Sequence, residues 1–200
     1  MIFFIQREGV IVKVIGISGF IGSGKTTMLE HLQKKPKVKV IEADEVSKEI
    51  LYDEKIIKFL NKRIPNALKD KKIDRSILRA ALFNNSKLND KFTKIAWPLI
   101  SEKINKMIKE EKEANLIFVE AAVISGIKVD FYKTILLVKD QEQRIKRVIV
   151  RDNREFKEID SITEFQRKKL RKYKFDYVLE NNSEKEVFYK NIDDLIESIK

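Results

Sequence analysis

Residues 19–26 read Gly-Phe-Ile-Gly-Ser-Gly-Lys-Thr and follow directly on Ile11–Ser18, an apolar, β-branched run whose only charge is Lys13. A buried strand that empties into a glycine-rich turn and then into helical periodicity (Met28, Leu29, Leu32) leaves few folds open. Glycines let the backbone take positive φ and turn its amides inward. The inward amides form a nest for phosphate oxygens, and the helix that follows aims the positive end of its dipole at the same anion. In such a loop Lys25 reaches the β- and γ-phosphates, and the Thr26 hydroxyl can ligate Mg²⁺. At ordinary residue frequencies the pattern arises by chance in fewer than about one chain in a hundred. A tight turn without a ligand would need neither the lysine nor the threonine.

The rest of the chain extends this pattern. Short buried-strand candidates recur at Val38–Ile41, Leu116–Val119, Thr134–Val138 and Tyr177–Leu179, separated by helical stretches. Apolar strands alternating with helices predict a parallel sheet covered on both faces. The block between the second and third strands is helical in pattern and too long for a simple crossover, with Pro65 and Pro98 punctuating it. It reads as an inserted subdomain. Glu184–Ile199 closes the chain as an amphipathic helix. The expected organisation is a single domain: a core at about 11–45, 114–150 and 176–200, a helical insert at about 46–113, and a polar lid at about 151–175.

Composition removes several alternatives. The 200 residues contain no cysteine, which excludes a thiolate zinc site and a cysteine nucleophile, and one histidine, His31, read as packed or surface. No apolar run reaches the ~18 residues of a membrane span. Met1–Ile5 is apolar but is cut off by Arg7 and Glu8, so a secretory signal is not expected and a cytoplasmic location is. No role is assigned to Phe3 and Phe4. The net charge of +11 attracts anions. Its lysines are spread along the chain, as compositional bias would leave them, and a nucleic-acid partner is not expected.

Guanine-specific N-K-x-D is missing: Asn61-Lys62 runs into Arg63-Ile64, and Asn105-Lys106 into Met107-Ile108. No L-S-G-G-Q occurs either. A small kinase remains, in which catalysis is positioning plus charge neutralisation. Further motifs narrow the class. They are Gly16–Thr27 (GISGFIGSGKTT), Glu42-Ala43-Asp44, Ile73-Asp74-Arg75 with Leu78-Arg79 and Leu82-Phe83, Trp97-Pro98-Leu99-Ile100, Phe118–Val123, Arg147 with Arg151-Asp152, and Asp176–Asn181. In this order and spacing, from Val14 to the C-terminus, the chain resembles the dephospho-CoA kinase family. Two departures stand out: Trp97 where the family has histidine before proline, and Glu42 where it has aspartate.

The resemblance implies a three-layer α/β P-loop kinase fold with a parallel five-stranded core sheet, an acceptor-binding insert and a lid. It implies phosphorylation of the ribose 3′-hydroxyl of dephospho-CoA by ATP with Mg²⁺, and a small-molecule partner with neither nucleic acid nor membrane. The alternatives are a related nucleoside or nucleotide kinase, or a basic ATP-binding regulator that contacts nucleic acid. Gly22, Ser23, Gly24, Lys25, Thr26 and Thr27 would hold the nucleotide. Asp44 would be the base for the 3′-hydroxyl, or else cap the helix from Glu45 onward. Glu120 would hold Mg²⁺ through water beside Thr26 and bind substrate, or cap the next segment. Arg151 and Arg147, one helical turn apart, would stabilise charge from the lid, or belong to a solvated basic face. Arg75 and Arg79 would meet a phosphorylated acceptor, or be surface charges. Asn181 would contact adenine, or serve as a turn residue.

Overall fold

The computed structural model describes residues 5–7, 10–69 and 72–199; Phe3 and Phe4 lie outside them. The chain divides into two compact units. The first comprises residues 1–42, 108–126 and 130–200, and the second residues 43–107 and 127–129.

The first unit is built on a parallel sheet of five strands. They are β2 (Val10–Gly19), β3 (Val38–Glu42), β6 (Leu116–Glu120), β7 (Lys133–Val138) and β8 (Tyr177–Glu180), in the order β3-β6-β2-β7-β8. The expected strands are all present, extended by a residue or two. A sixth segment, β1 (Ile5–Arg7), pairs antiparallel with Val10–Val12. Because β2 pairs with β6 on one side and β7 on the other, the chain reverses its winding direction around β2. In open α/β sheets ligands bind outside the carboxyl ends of the strands at such a switch point, which is where β2 delivers the glycine loop.

Alternation along β2 sorts the two faces. Ile15 and Ile17 point into a core shared with Met28, Leu29 and Leu32 of α1 (Lys25–Leu32) and Phe188, Ile192, Ile196 and Ile199 of α8 (Lys185–Ile199). The sequence puts Val187, Phe188, Ile192, Leu195 and Ile199 on the apolar stripe of α8; Val187 is instead exposed, and Ile196 joins the buried face. Burying each large side chain of this core contributes about 1.5–3 kcal/mol. Gly16 faces the other way, where a methyl group would lie 2.4 Å from Ile124 Cδ1 and 3.1 Å from the Phe131 ring. Only glycine lets that layer approach the strand. Beyond it come α6 (Gln141–Asp152) and α7 (Phe156–Leu170). Asp140 caps α6 by accepting from Gln143 N at 3.0 Å. Asn153, at φ +50, ends it in the left-handed conformation that asparagine tolerates.

The second unit holds α2 (Ala43–Ile50), α3 (Glu54–Arg63), the ribbon β4 (Leu68–Lys69) and β5 (Lys72–Ile73), α4 (Arg75–Phe83) and most of α5 (Ser86–Glu110). Ile56, Leu60, Ala67, Leu78, Ile100 and Ile104 are among its buried apolar residues. Asp53 and Asp74 cap α3 and α4 through backbone amides. Two expectations need correcting. The block is not wholly helical, since two-residue strands are too short to show a period of two. Pro98 also does not end its helix: it lies inside α5. One turn later Ser101 Oγ donates to Trp97 O at 2.7 Å and accepts from Lys128 N at 2.8 Å. Asn105 Nδ2 adds a bond to Lys128 O at 2.8 Å. The proline helix is thereby clipped to residues 127–129.

Among the described residues, no helix is long and apolar enough to cross a membrane.

Candidate active site

The loop after β2 takes the shape its glycines permit. Gly22 (φ +82) and Gly24 (φ +101) are left-handed, and Ser23 N donates back to Phe20 O at 3.1 Å. Gly24 then opens α1, so its first amides face the loop. Lys25 is folded over this nest. Its Nζ donates to Gly19 O at 2.9 Å and lies 3.8 Å from Glu120 Oε1 at the carboxyl end of β6. Burial pulls the Lys25 pKa below its ordinary value; the Glu120 carboxylate opposes this, and Arg151 adds to it. A desolvated ammonium in this position gains most from an anion that restores its lost solvation.

The loop is braced from three directions. From below, buried Asn181 follows β8, and its Nδ2 donates to Ser23 O at 2.8 Å. A methyl group on Gly24 would sit 2.1 Å from that nitrogen. Read from the sequence as an adenine contact or a turn residue, Asn181 has its side-chain amide on the loop's own backbone. From the side, α6 presses close, and a methyl on Gly22 would lie 2.7 Å from both Arg144 O and Val148 Cγ2. At the tip, Gln166 Oε1 of α7 accepts from Ile21 N at 2.9 Å, and Arg144 Nη1 donates to Ile21 O at 3.3 Å and to Thr163 Oγ1 at 3.1 Å. Arg144 also lies over the Phe20 ring, at 5.4 Å from its centroid. Sequence reading missed Arg144, Thr163 and Gln166. One signal was available: three polar side chains on the i, i+3 or i, i+4 face of helices whose neighbours on that face, Val148, Ile159 and Leu170, are apolar.

The arginines of α6 approach the same loop. Arg147 Nη2 donates to Thr27 Oγ1 at 3.3 Å. Arg151 falls within the last turn of α6, held bidentately by Asp152 with Nε to Oδ1 at 2.6 Å and Nη2 to Oδ2 at 2.8 Å. This pairing raises its pKa and lowers that of Asp152. The first unit therefore gathers Gly22, Ser23, Gly24, Lys25, Thr26, Thr27, Glu120, Arg147, Arg151 and Asn181. Asp44, Arg75 and Arg79 belong to the second unit. Asp44 is two residues past the end of β3 in the chain, in the first turn of α2, with Lys48 Nζ 3.4 Å from its Oδ2. It does not cap the helix from Glu45 onward, because α2 already begins at Ala43. Arg75 and Arg79 are exposed, one turn apart on α4.

A glycine nest at a helix N-terminus, a switch-point location, a desolvated lysine and flanking arginines define a P-loop phosphotransferase. The family model for dephospho-CoA kinase matches residues 13–186. A dephospho-CoA kinase of Fusobacterium nucleatum is 30% identical over 194 residues, spanning 94% of this chain and 99% of that one. Dephospho-CoA kinase from Campylobacter jejuni superposes with a TM-score of 0.57 at 26% identity, covering 94% of this chain and 97% of that one. TT1252 from Thermus thermophilus gives a TM-score of 0.76 at 22% identity over 94% of this chain and 98% of its own, a likeness of fold. The chain belongs to the dephospho-CoA kinase family.

Proposed function

We propose that this protein transfers the γ-phosphoryl group of ATP to the ribose 3′-hydroxyl of dephospho-CoA, giving CoA and ADP, the last step of coenzyme A synthesis, in the cytoplasm. The observation that carries the reading is the family match across residues 13–186 laid over a loop built for a polyphosphate.

In this mechanism Lys25 leaves the Gly19 carbonyl for the phosphate oxygens, and the loop amides hold the β-phosphate. Arg151 and Arg147 offset charge as the bond to the ADP oxygen breaks and the bond to the 3′-oxygen forms. Asp44 receives or orients the hydroxyl proton. Arg75 and Arg79 are proposed to meet the acceptor's phosphates. Thr26 and Glu120 offer one hydroxyl and one carboxylate. That set suits Mg²⁺, which takes one or two protein oxygens and completes its octahedron with phosphates and water. When bound there it supplies charge neutralisation at the transferring phosphoryl group.

An acceptor panel tests the reading. ADP release from ATP should be stimulated by dephospho-CoA and not by nucleosides or nucleoside monophosphates. Stimulation by those instead makes this a related nucleoside or nucleotide kinase. No stimulation by any acceptor, together with salt-sensitive binding to DNA or RNA, makes it an ATP-binding regulator.

A further inference from the structure

Beyond the loop's own bonds, two side chains from outside it hydrogen-bond its tip at one residue, Ile21. Ile21 presents its N–H to Gln166 and its carbonyl to Arg144, at 2.9 and 3.3 Å. The two side chains come from different helices and from 145 and 123 positions along the chain. Both are buried, at 3% exposure each, as is Thr163 at 2%. Thr163, three residues before Gln166 on the same helix, anchors Arg144: its hydroxyl accepts from Arg144 and donates to Ile159 O at 2.8 Å. α7 is itself tied down at its far end, where Lys169 O accepts from Ser125 Oγ at 2.9 Å. Nothing in the phosphotransfer chemistry uses these groups, yet burying an arginine and a glutamine is unfavourable unless their polar atoms are matched.

We infer that Gln166 is a positioning residue for the phosphoryl donor: by fixing the Ile21 amide it locks the loop tip in the conformation whose following amides face the phosphates, and so couples the seat of α7 to ATP affinity. The physical reason is local. Gly22, the next residue, sits at φ +82 and has no side chain to hold its own conformation. The peptide entering Gly22 therefore takes its orientation from what grips Ile21. Gln166 grips the Phe20–Ile21 peptide and Arg144 the Ile21–Gly22 peptide. Without the Gln166 acceptor the first can turn its N–H toward water, changing φ at Ile21 and leaving the peptide that enters Gly22 held at its carbonyl alone. Arg144 alone constrains only the carbonyl end. α7 lies in the stretch whose composition suggests a lid, so through this bond a lid helix and the phosphate loop share one conformational state.

The inference rests on the reading that the loop binds ATP, and its test separates the two. Gln166→Met keeps side-chain length and removes the acceptor; Gln166→Glu keeps an acceptor oxygen. ATP binding is titrated calorimetrically without acceptor, amide exchange at Ile21 is followed by NMR, and KM values for ATP and dephospho-CoA are taken from steady-state rates. The methionine variant should bind ATP about three- to tenfold more weakly, the range expected for one lost hydrogen bond. It should lose exchange protection at Ile21 while β2 stays protected, and keep its KM for dephospho-CoA. The glutamate variant should recover most of the ATP affinity. Wild-type ATP affinity in Gln166→Met overturns the inference. So does an equal loss of ATP affinity, acceptor affinity and melting temperature in which Gln166→Glu is no better. A wild-type protein that does not bind ATP overturns the loop reading and this inference with it. A wild-type protein that binds ATP but phosphorylates another acceptor leaves this test intact.

Discussion

Lys25 is a cation held out of water, with loop carbonyls on one side and Glu120 on the other. Such a group is poised for exchange: a phosphate oxygen is a stronger partner than a carbonyl, and charge-assisted bonds are roughly twice as strong as neutral ones. Lys25→Ala should therefore lower kcat by about 10²-fold or more, the scale of losing one charge-stabilising donor in a dry site. Its melting temperature should stay near wild type, because the lysine's desolvation is removed along with its bonds. Steady-state kinetics beside a thermal melt checks this, and normal turnover would sink the loop assignment. Lys25, Thr26 and the loop glycines are legible in the sequence because one contiguous pattern encodes them. Gln166, Thr163 and Arg144 stand out only as polar side chains on apolar helix faces; their role is hidden because Gln166 and Arg144 meet the Ile21 backbone more than a hundred positions away and Thr163 acts through Arg144. Asn181 was visible as a residue, but its contact with the Ser23 carbonyl depends on how β8 docks beside β7, which no local pattern states.

Among the elements, all five strands of the parallel sheet are legible, the longest apolar runs most plainly. β6 is buried at all five positions and reads as a continuous apolar stretch. β8 has four residues, only Leu179 of them buried, and is held in register by a side chain. Asp176, just before β8, accepts from Thr134 N at 2.8 Å, from Thr134 Oγ1 at 2.9 Å and from Lys133 Nζ at 3.1 Å. It thereby pins the start of β8 to β7. Burial alone would raise its pKa, but the bonds from Thr134 and Lys133 outweigh this and hold it below the ordinary aspartate value. A carboxylate with a depressed folded pKa stabilises the fold above its unfolded pKa of about 3.9 and loses that contribution as pH falls through the lower, folded value. Asp176→Asn should thus lower the melting temperature by a few degrees at pH 7. Toward pH 3 and below the gap should close, because the wild-type side chain is then neutral as well. Thermal melts of both proteins across that range test it, and a gap that stays constant with pH would mean the carboxylate's charge is not what pins the strand. The β4–β5 ribbon and the helix that runs through Pro98 escaped the sequence for the converse reason. The ribbon's strands are two residues each, and α5 runs on past Pro98 into residues whose partner, Lys128, lies 23 and 27 positions along the chain from Asn105 and Ser101.

Taken over the whole molecule, the net charge of +11 poses the last question, because the same number suits a nucleotide enzyme and a nucleic-acid binder. Part of the distribution bears on the choice, although Arg167, Lys168, Lys169, Arg171, Lys172 and Lys174 form a run of one sign. Cations in both units stand beside acids: Lys35 with Asp193, Lys133 with Asp176, Lys146 with Glu142 and Arg154 with Glu158 in the first, and Lys58 with Glu54 and Lys103 with Glu49 in the second. Nucleic acid is bound by a stripe of one sign, since affinity grows with the number of phosphates neutralised together. Cations paired in this way offer few phosphates at once, whereas Lys25, Arg147 and Arg151 lie beside one loop. Duplex DNA should accordingly bind no tighter than the non-specific range of about 10⁻⁴–10⁻⁶ M at physiological salt. MgATP should bind far more tightly and with a shallow salt dependence, because only a few cations meet it and the central one is shielded from solvent ions. Fluorescence anisotropy with labelled duplex, run beside an ATP titration at low and high salt, measures both slopes. A steep DNA slope with sub-micromolar affinity at physiological salt would assign the excess charge to nucleic acid. A flat ATP slope beside weak DNA binding leaves the few cations around the phosphate loop as its useful part.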